Sequence, residues 1–346
     1  MVSKKERALA MRILLCSHFF FPSIGGIETL SMSLAEQFTS AGHEVVVLTR
    51  SSSEKEDHYP FKVVRQPSWL ETWRYVRWAT VVFHNNICAS MAWPLVLLAR
   101  PWVIAHHTWI ARPDGSIGVK ERIKRRLVRH AKQIADSKAL ANDLGGKAVV
   151  IGGCYDAQLF RVLPDAARDA DLIFVGRLVS DKGADLLIEV LGMLNQTGKN
   201  LSLTIVGDGN ELANLMKQAS KLGLSGQVSF KGTLLGEDLV REINRHKIMV
   251  VPSRWNEPFG IVALLGAACG CVVVGSTGGG LIDAIGPCGL TFPNGDVKEL
   301  SVAIDKLASS HQERQRLLAF ASGHLSNFTV ESVAARYLDV LSEASR

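Results

Sequence analysis

A chain of 346 residues with 47% hydrophobic and 21% charged residues has a globular composition that excludes extended disorder, and its length predicts two domains. The net charge of +6 is uneven: residues 1–150 hold 21 Lys and Arg against 12 Asp and Glu, and the remainder holds 18 against 21, so the two halves are expected to meet different partners. The longest apolar run, Ile87 to Ala99, is broken by Pro94 and stopped by Arg100-Pro101, which excludes a membrane-spanning helix there.

Residues 1–10, MVSKKERALA, read as a mobile polar extension. RILLCSHFF reads as a buried first strand rather than a secretory signal, because it runs into PSIGGIE with no small-residue cleavage pattern. Leu30, Leu34, Phe38 and Ala41 then recur at helical spacing up to Gly42, and HEVVVLTR follows as a strand. Strand, glycine turn, helix, strand is the βαβ unit of a parallel sheet. FKVVRQ, TVVFHN, WVIAHH, QIADS and AVVIGG read as further short strands, and KERIKRRLVRHAKQ as a basic helix.

The alternation restarts after the polar stretch RVLPDAARDAD. The strands DLIFVGRL, LSLTIVGDG, QVSFKG, IMVVPS, CVVVGS and GLTF alternate with helices such as ADLLIEVLGMLNQ, ELANLMKQASKLGL, EDLVREINRH and PFGIVALLGAACG. The expected division is a first domain at 11–163, a second at 164–325, and a C-terminal helix at 326–346 with the option of crossing back to the first domain. The six cysteines form no CxxC pair and read as small core residues of a reduced, metal-free, cytoplasmic protein.

Ligands bind doubly wound sheets at the carboxyl ends of the strands, so the residues after the strands carry the functional reading. Gly25 and Gly26 follow the first strand, and His106 and His107 follow WVIA. Arg177 and Lys182 follow LIFVG, Gly207 and Asp208 follow LTIV, and Lys231 and Gly232 follow SF. Glu257, Phe259, Gly260 and Ile261 follow IMVV. Glycine turns leading into helices suit phosphate, Arg177 and Lys182 can neutralise a diphosphate, and the Glu257 carboxylate can accept hydrogen bonds from sugar hydroxyls. Together these describe a nucleotide-sugar site. The PSIGGIE turn does not match the GxGxxG expected of a nicotinamide site.

GGIE, FVGRLVSDKG, IVGDG, PSRWNEPFGIVALLGAACG and STGGG together resemble the retaining GT-B glycosyltransferases of glycosyltransferase family 4, from Met11 to the final helices. The resemblance implies an α/β fold of two doubly wound Rossmann-like domains facing across a cleft, the first binding the acceptor and the second the nucleotide diphosphate sugar. It implies that Arg177 and Lys182 hold the donor diphosphate without a metal. Glu257 would lie by the sugar hydroxyls, with Phe259, Gly260 and Ile261 in the loop beside sugar and phosphate. Gly25 and Gly26 would cover the diphosphate, and His107 would stand near the transferred sugar. Gly207, Asp208, Lys231 and Gly232 would lie by base and ribose. The implied activity is retaining hexosyl transfer to a saccharide or lipid-linked acceptor, in the setting of cell-envelope polysaccharide or lipopolysaccharide synthesis and with no cofactor.

One departure stands out. The family's second acid falls eight residues after Glu257, where this chain has Leu265, and leucine cannot accept a hydrogen bond. Asp169-Ala170-Asp171 spells the metal motif of a different glycosyltransferase fold and reads here as chance. The basic segment 120–132, with six of the seven tryptophans in the first half, points to peripheral contact with anionic lipid; no nucleic-acid motif accompanies it. The alternatives to transfer are a sugar-nucleotide epimerase of the same fold and a catalytically weak nucleotide-sugar-binding homologue.

Overall fold

The computed structural model describes residues 10–346 apart from residues 24, 55 and 113. The expected mobile extension, Ala10 excepted, lies outside the described residues. The chain divides into two compact units, one made of the chain up to Ile151 together with Val330–Arg346, the other of Gly152–Thr329.

Among the described residues the first unit carries a seven-stranded parallel sheet: β1 Arg12–Ser17, β2 Glu44–Thr49, β3 Lys62–Arg65, β4 Val81–Asn85, β5 Trp102–His106, β6 Lys132–Ala135 and β7 Val149–Val150, in the order β3-β2-β1-β4-β5-β6-β7. Strand order reverses between β1 and β4, which is the switch point where such sheets leave a crevice. The helix Gly26–Ser40 returns the chain from β1 to β2 and buries Leu30, Leu34 and Phe38, one per turn. The last helix, Val330–Ser345, belongs to this unit: Tyr337 stands edge-on to Phe83 with ring centres 5.6 Å apart, and Arg336 donates to the Val150 carbonyl at 2.6 Å.

Among the described residues the second unit carries six parallel strands: β8 Ala170–Val175, β9 Leu203–Val206, β10 Val228–Phe230, β11 His246–Val251, β12 Val272–Ser276 and β13 Gly289–Phe292, in the order β10-β9-β8-β11-β12-β13. Its switch point lies between β8 and β11. Alternate residues feed two cores. Leu172, Phe174, Ile248, Val250, Val272 and Val274 face one side, while Ile173, Met249, Val251 and Val273 face the other. Burial on both faces is why these strands read as continuous apolar runs.

The structure differs from the sequence expectations in several places. The boundary between units falls at Ile151/Gly152 rather than 163/164, because Tyr155, Leu159, Phe160 and Leu163 pack on the second core and Asn244 Oδ1 accepts from the Leu163 amide at 2.8 Å. The basic helix spans Val119–Val128 only; Lys132 and Gln133 instead pair with β5, opposite Val103 and Ile104. A helix at Trp69–Trp78 was not expected, although Ser68 and Glu71 form the reciprocal cap that S-x-x-E signals. Asp169 and Asp171 lie at the amino end of β8, where they pair with Arg245 at 3.1 Å and Lys247 at 2.8 Å.

Candidate active site

In the second unit, the segments after β8 and β11 are tied together before any side chain reaches the crevice. The turn Ser180–Lys182 closes on Gly183, whose φ of 70° is left-handed and whose Cβ, if present, would overlap the Pro252 carbonyl oxygen. The Asp181 carbonyl accepts from the amides of Arg254 and Trp255 at 2.8 and 3.2 Å. Arg254 in turn grips both carboxylate oxygens of Asp185 at 2.7 and 2.6 Å. Burial pushes Asp185 up, but the Arg254 guanidinium outweighs it and holds the carboxyl below its usual range.

Those two turns place Lys182 on Glu257. The Lys182 ammonium donates to Glu257 Oε1 at 2.5 Å, and the buried Ser253 hydroxyl donates to the same oxygen at 2.7 Å. Glu257 is 9% exposed. Its carbonyl accepts from the Gly280 amide at 2.7 Å, which joins the glycine turn after β12 to the same cluster. Phe259 is buried against Phe328 with ring centres 5.5 Å apart. Gly260, at φ 103°, starts the helix Ile261–Ala268. Ile261 is half-buried, and Leu265, one turn on, packs against the same apolar core.

The remaining expected residues of this unit line its carboxyl edge. Arg177 is exposed on the turn after β8. Gly207, at φ 136°, passes so close to Gly176 that a Cβ would overlap its carbonyl oxygen, and its amide donates to Gly232 at 2.8 Å. Asp208 is exposed and accepts from the Gly209 amide at 2.7 Å; Lys231 is exposed.

In the first unit, His107 is 9% exposed, and both its ring nitrogens face oxygen acceptors. Nδ1 lies 2.8 Å from each Asp136 carboxylate oxygen, and Nε2 lies 2.6 Å from Asn85 Oδ1. His106 beside it is fully buried, and burial lowers it to about 4. Gly25 is extended, with φ −175°, and caps the helix that begins at Gly26. No three His, Cys, Asp or Glu side chains among the described residues gather as a metal ligand set.

The family model of glycosyl transferases group 1 matches residues 157–322. A D-inositol 3-phosphate glycosyltransferase of Corynebacterium jeikeium is 34% identical over 72% of this chain and 69% of its own length. The chain belongs to the glycosyl transferases group 1. A glycogen synthase of Mycobacterium tuberculosis is 29% identical to this glycosyltransferase over 97% of the chain and 95% of its own. The fold is that of the Anabaena protein HepE in complex with UDP, with a TM-score of 0.81 at 22% identity over 96% of this chain and 100% of that one.

Sequence reasoning singled out Lys182, Glu257 and His107 but missed what holds them. Ser253 lay inside the PSRWNEPFG motif without a role assigned to it, and Asn85 and Asp136 carried no motif. Asn85 and Asp136 stand 22 and 29 residues from His107 and meet it only through the pairing of β4, β5 and β6. Cys269 and Cys271 are buried, and burial pushes both thiols up to about 12. On the surface of this glycosyltransferase, the helix Val119–Val128 exposes Val119 and Ile123 beside Lys120, Arg122, Lys124 and Arg126. Arg125 pins the helix to Asp143 at 2.6 Å, and no helix among the described residues is long and apolar enough to cross a membrane.

Proposed function

We propose that this glycosyltransferase is a retaining, metal-independent enzyme of glycosyltransferase family 4. It moves a hexose from a nucleoside diphosphate sugar to a saccharide or lipid-linked acceptor in cell-envelope synthesis. The observation that carries the reading is the Lys182–Glu257–Ser253 cluster at the switch point of the second sheet. A cation and a hydroxyl-accepting carboxylate stand side by side there, so one can meet a diphosphate and the other the attached sugar.

In this reading the free enzyme keeps its two charges neutralised against each other. A donor draws Lys182, with Arg177, onto the diphosphate, and Glu257 turns to the sugar hydroxyls while Ser253 holds its other contact. The bond from the anomeric carbon to the phosphate oxygen breaks and the bond to the acceptor oxygen forms on the same face. The acceptor's proton passes to the departing phosphate, whose charge the two cations stabilise. Gly207, Asp208, Lys231 and Gly232 border base and ribose, and Phe259, Gly260 and Ile261 present main chain to sugar and phosphate. Gly25, Gly26 and His107 are the first unit's contribution. The exposed basic helix seats the enzyme peripherally on anionic lipid at the cytoplasmic face.

Leu265 adds a specific expectation. With no carboxylate at that position, ribo- and 2′-deoxyribonucleoside diphosphates bind within about threefold of each other, since a charged hydrogen bond to the ribose would be worth about 1.5–3 kcal/mol. The test is a thermal-shift screen of nucleoside diphosphates and their sugars, followed by transfer assays with a chelator present. A raised melting point and product with retained anomeric configuration support the reading. A screen in which no nucleotide shifts the melting point overturns it. Sugar-nucleotide turnover without acceptor identifies an epimerase instead. Binding without any turnover identifies the non-catalytic homologue that Leu265 favours.

A further inference from the structure

We infer that Asn85 is a positioning residue that couples the His107 ring to the glycine turn Gly25–Gly26; the inference rests on the reading of His107 and that turn as parts of the transfer site. Asn85 is the last residue of β4, fully buried at the switch point between β1 and β4. Its Nδ2 lies 2.7 Å from Ser31 Oγ and 3.3 Å from the Ile27 carbonyl oxygen, and its Oδ1 lies 2.6 Å from His107 Nε2. The Ile27 carbonyl accepts and never donates, so the amide must turn its NH2 toward the helix and its oxygen toward the histidine.

The contacts beyond Asn85 run in one direction. Ser31 Oγ lies 2.8 Å from the Ile27 carbonyl and 2.9 Å from Ser17 Oγ, and Ser17 Oγ donates to the Phe19 carbonyl at 2.7 Å. The Gly25 carbonyl accepts from both the amide and the hydroxyl of Thr29, at 3.0 and 2.9 Å. The glycine turn is therefore fixed to the first helical turn, that turn to Asn85, and Asn85 to the ring. Asp136 meets the ring on its opposite edge. With both nitrogens engaged, the ring's orientation and that of the glycine turn are set together.

The decisive variant is Asn85→Asp in the full chain. It keeps an acceptor for His107 and the side-chain volume, but it offers no donor to Ser31 and sets an oxygen against the Ile27 carbonyl. The expected result is amide hydrogen exchange at least about tenfold faster across Gly26–Leu30, with the rest of the unit unchanged. Alongside it, kcat for sugar transfer falls at least about tenfold while the donor KM stays within about threefold. Wild-type exchange at that turn, or faster exchange with wild-type kcat, overturns the inference. If Asn85→Asp does not fold, Ser31→Ala carries the same test, because it removes the hydroxyl that Asn85 grips; unchanged exchange and kcat in that variant also overturn it. A wild-type enzyme that turns over no donor sinks the functional reading instead, and the exchange result then judges the coupling alone.

Discussion

The two sheets share a winding pattern but finish their switch points differently. In the first unit the crevice is filled by a hydrogen-bonded chain from Ser17 through Ser31 and Asn85 to His107 and Asp136, all buried. In the second it holds a cation and a carboxylate in direct contact, framed by close-packed glycine turns. A crevice lined by such a mutually bonded chain keeps its shape. One that stores opposite charges against each other can exchange that partner for a charged ligand. The same topology thus yields a wall of buried hydrogen bonds in one unit and a charge pair in the other.

The sharpest way to break this contrast is Lys182→Ala. It removes the cation from the second unit's crevice and is expected to lower kcat by about 10²–10³-fold, the usual loss when one stabilising donor goes, and to lower the melting point, because the buried Glu257 carboxylate keeps Ser253 but loses its cation. Near-normal turnover in the folded variant would erase the distinction. Next come two left-handed glycines. Gly183→Ala is expected to destabilise by about 1–3 kcal/mol from its backbone conformation and further through its overlap with Pro252. Gly42→Ala, at φ 89° in open space in the first unit, carries the backbone part only. Equal losses in denaturant unfolding would show that close packing at the second crevice contributes nothing.

Acid probes the first unit's wall. Burial lowers His84 to about 3 and His106 to about 4 from the usual 6.5. Between pH 6.5 and about 4 the unfolded chain takes up protons that the folded chain refuses, so stability falls as pH falls, by about 1.4 kcal/mol per pH unit for each such histidine. His43 in the first unit and His246 in the second are also lowered, chiefly by burial, so the contrast is three histidines against one. Hydrogen exchange at pH 7 and pH 5 should show the first unit losing more. His84→Gln, which keeps an acceptor for Trp102 Nε1, should flatten the slope. The smallest expected effect is on the surface: Lys124→Ala and Arg126→Ala should each weaken pelleting with anionic vesicles by about 1 kcal/mol at low salt, and high salt should release the wild type. Absence of low-salt binding removes the membrane reading.

How much of this the sequence disclosed follows the same division. The second unit was legible because its strands are buried on both faces and its turns carry glycines with mandatory conformations. Lys182 and Glu257 were therefore located, though their contact across 75 residues was not. The first unit was less legible. Its polar wall is made of ordinary Ser, Asn and Asp residues whose meaning comes only from strand neighbours. The cationic run through Lys132 hid the change from helix to β6, since charge pattern says nothing about where hydrogen bonding switches partner.

The return of Val330–Ser345 to the first sheet has a consequence for how the molecule is made. The first unit is discontinuous in sequence, while the second, Gly152–Thr329, is one uninterrupted segment. On the ribosome the second unit is therefore the first to have all its parts, and the earlier-synthesised sheet waits for Tyr337 to reach Phe83. Vectorial synthesis ordinarily completes the amino-terminal domain first; in this chain it completes the later one first.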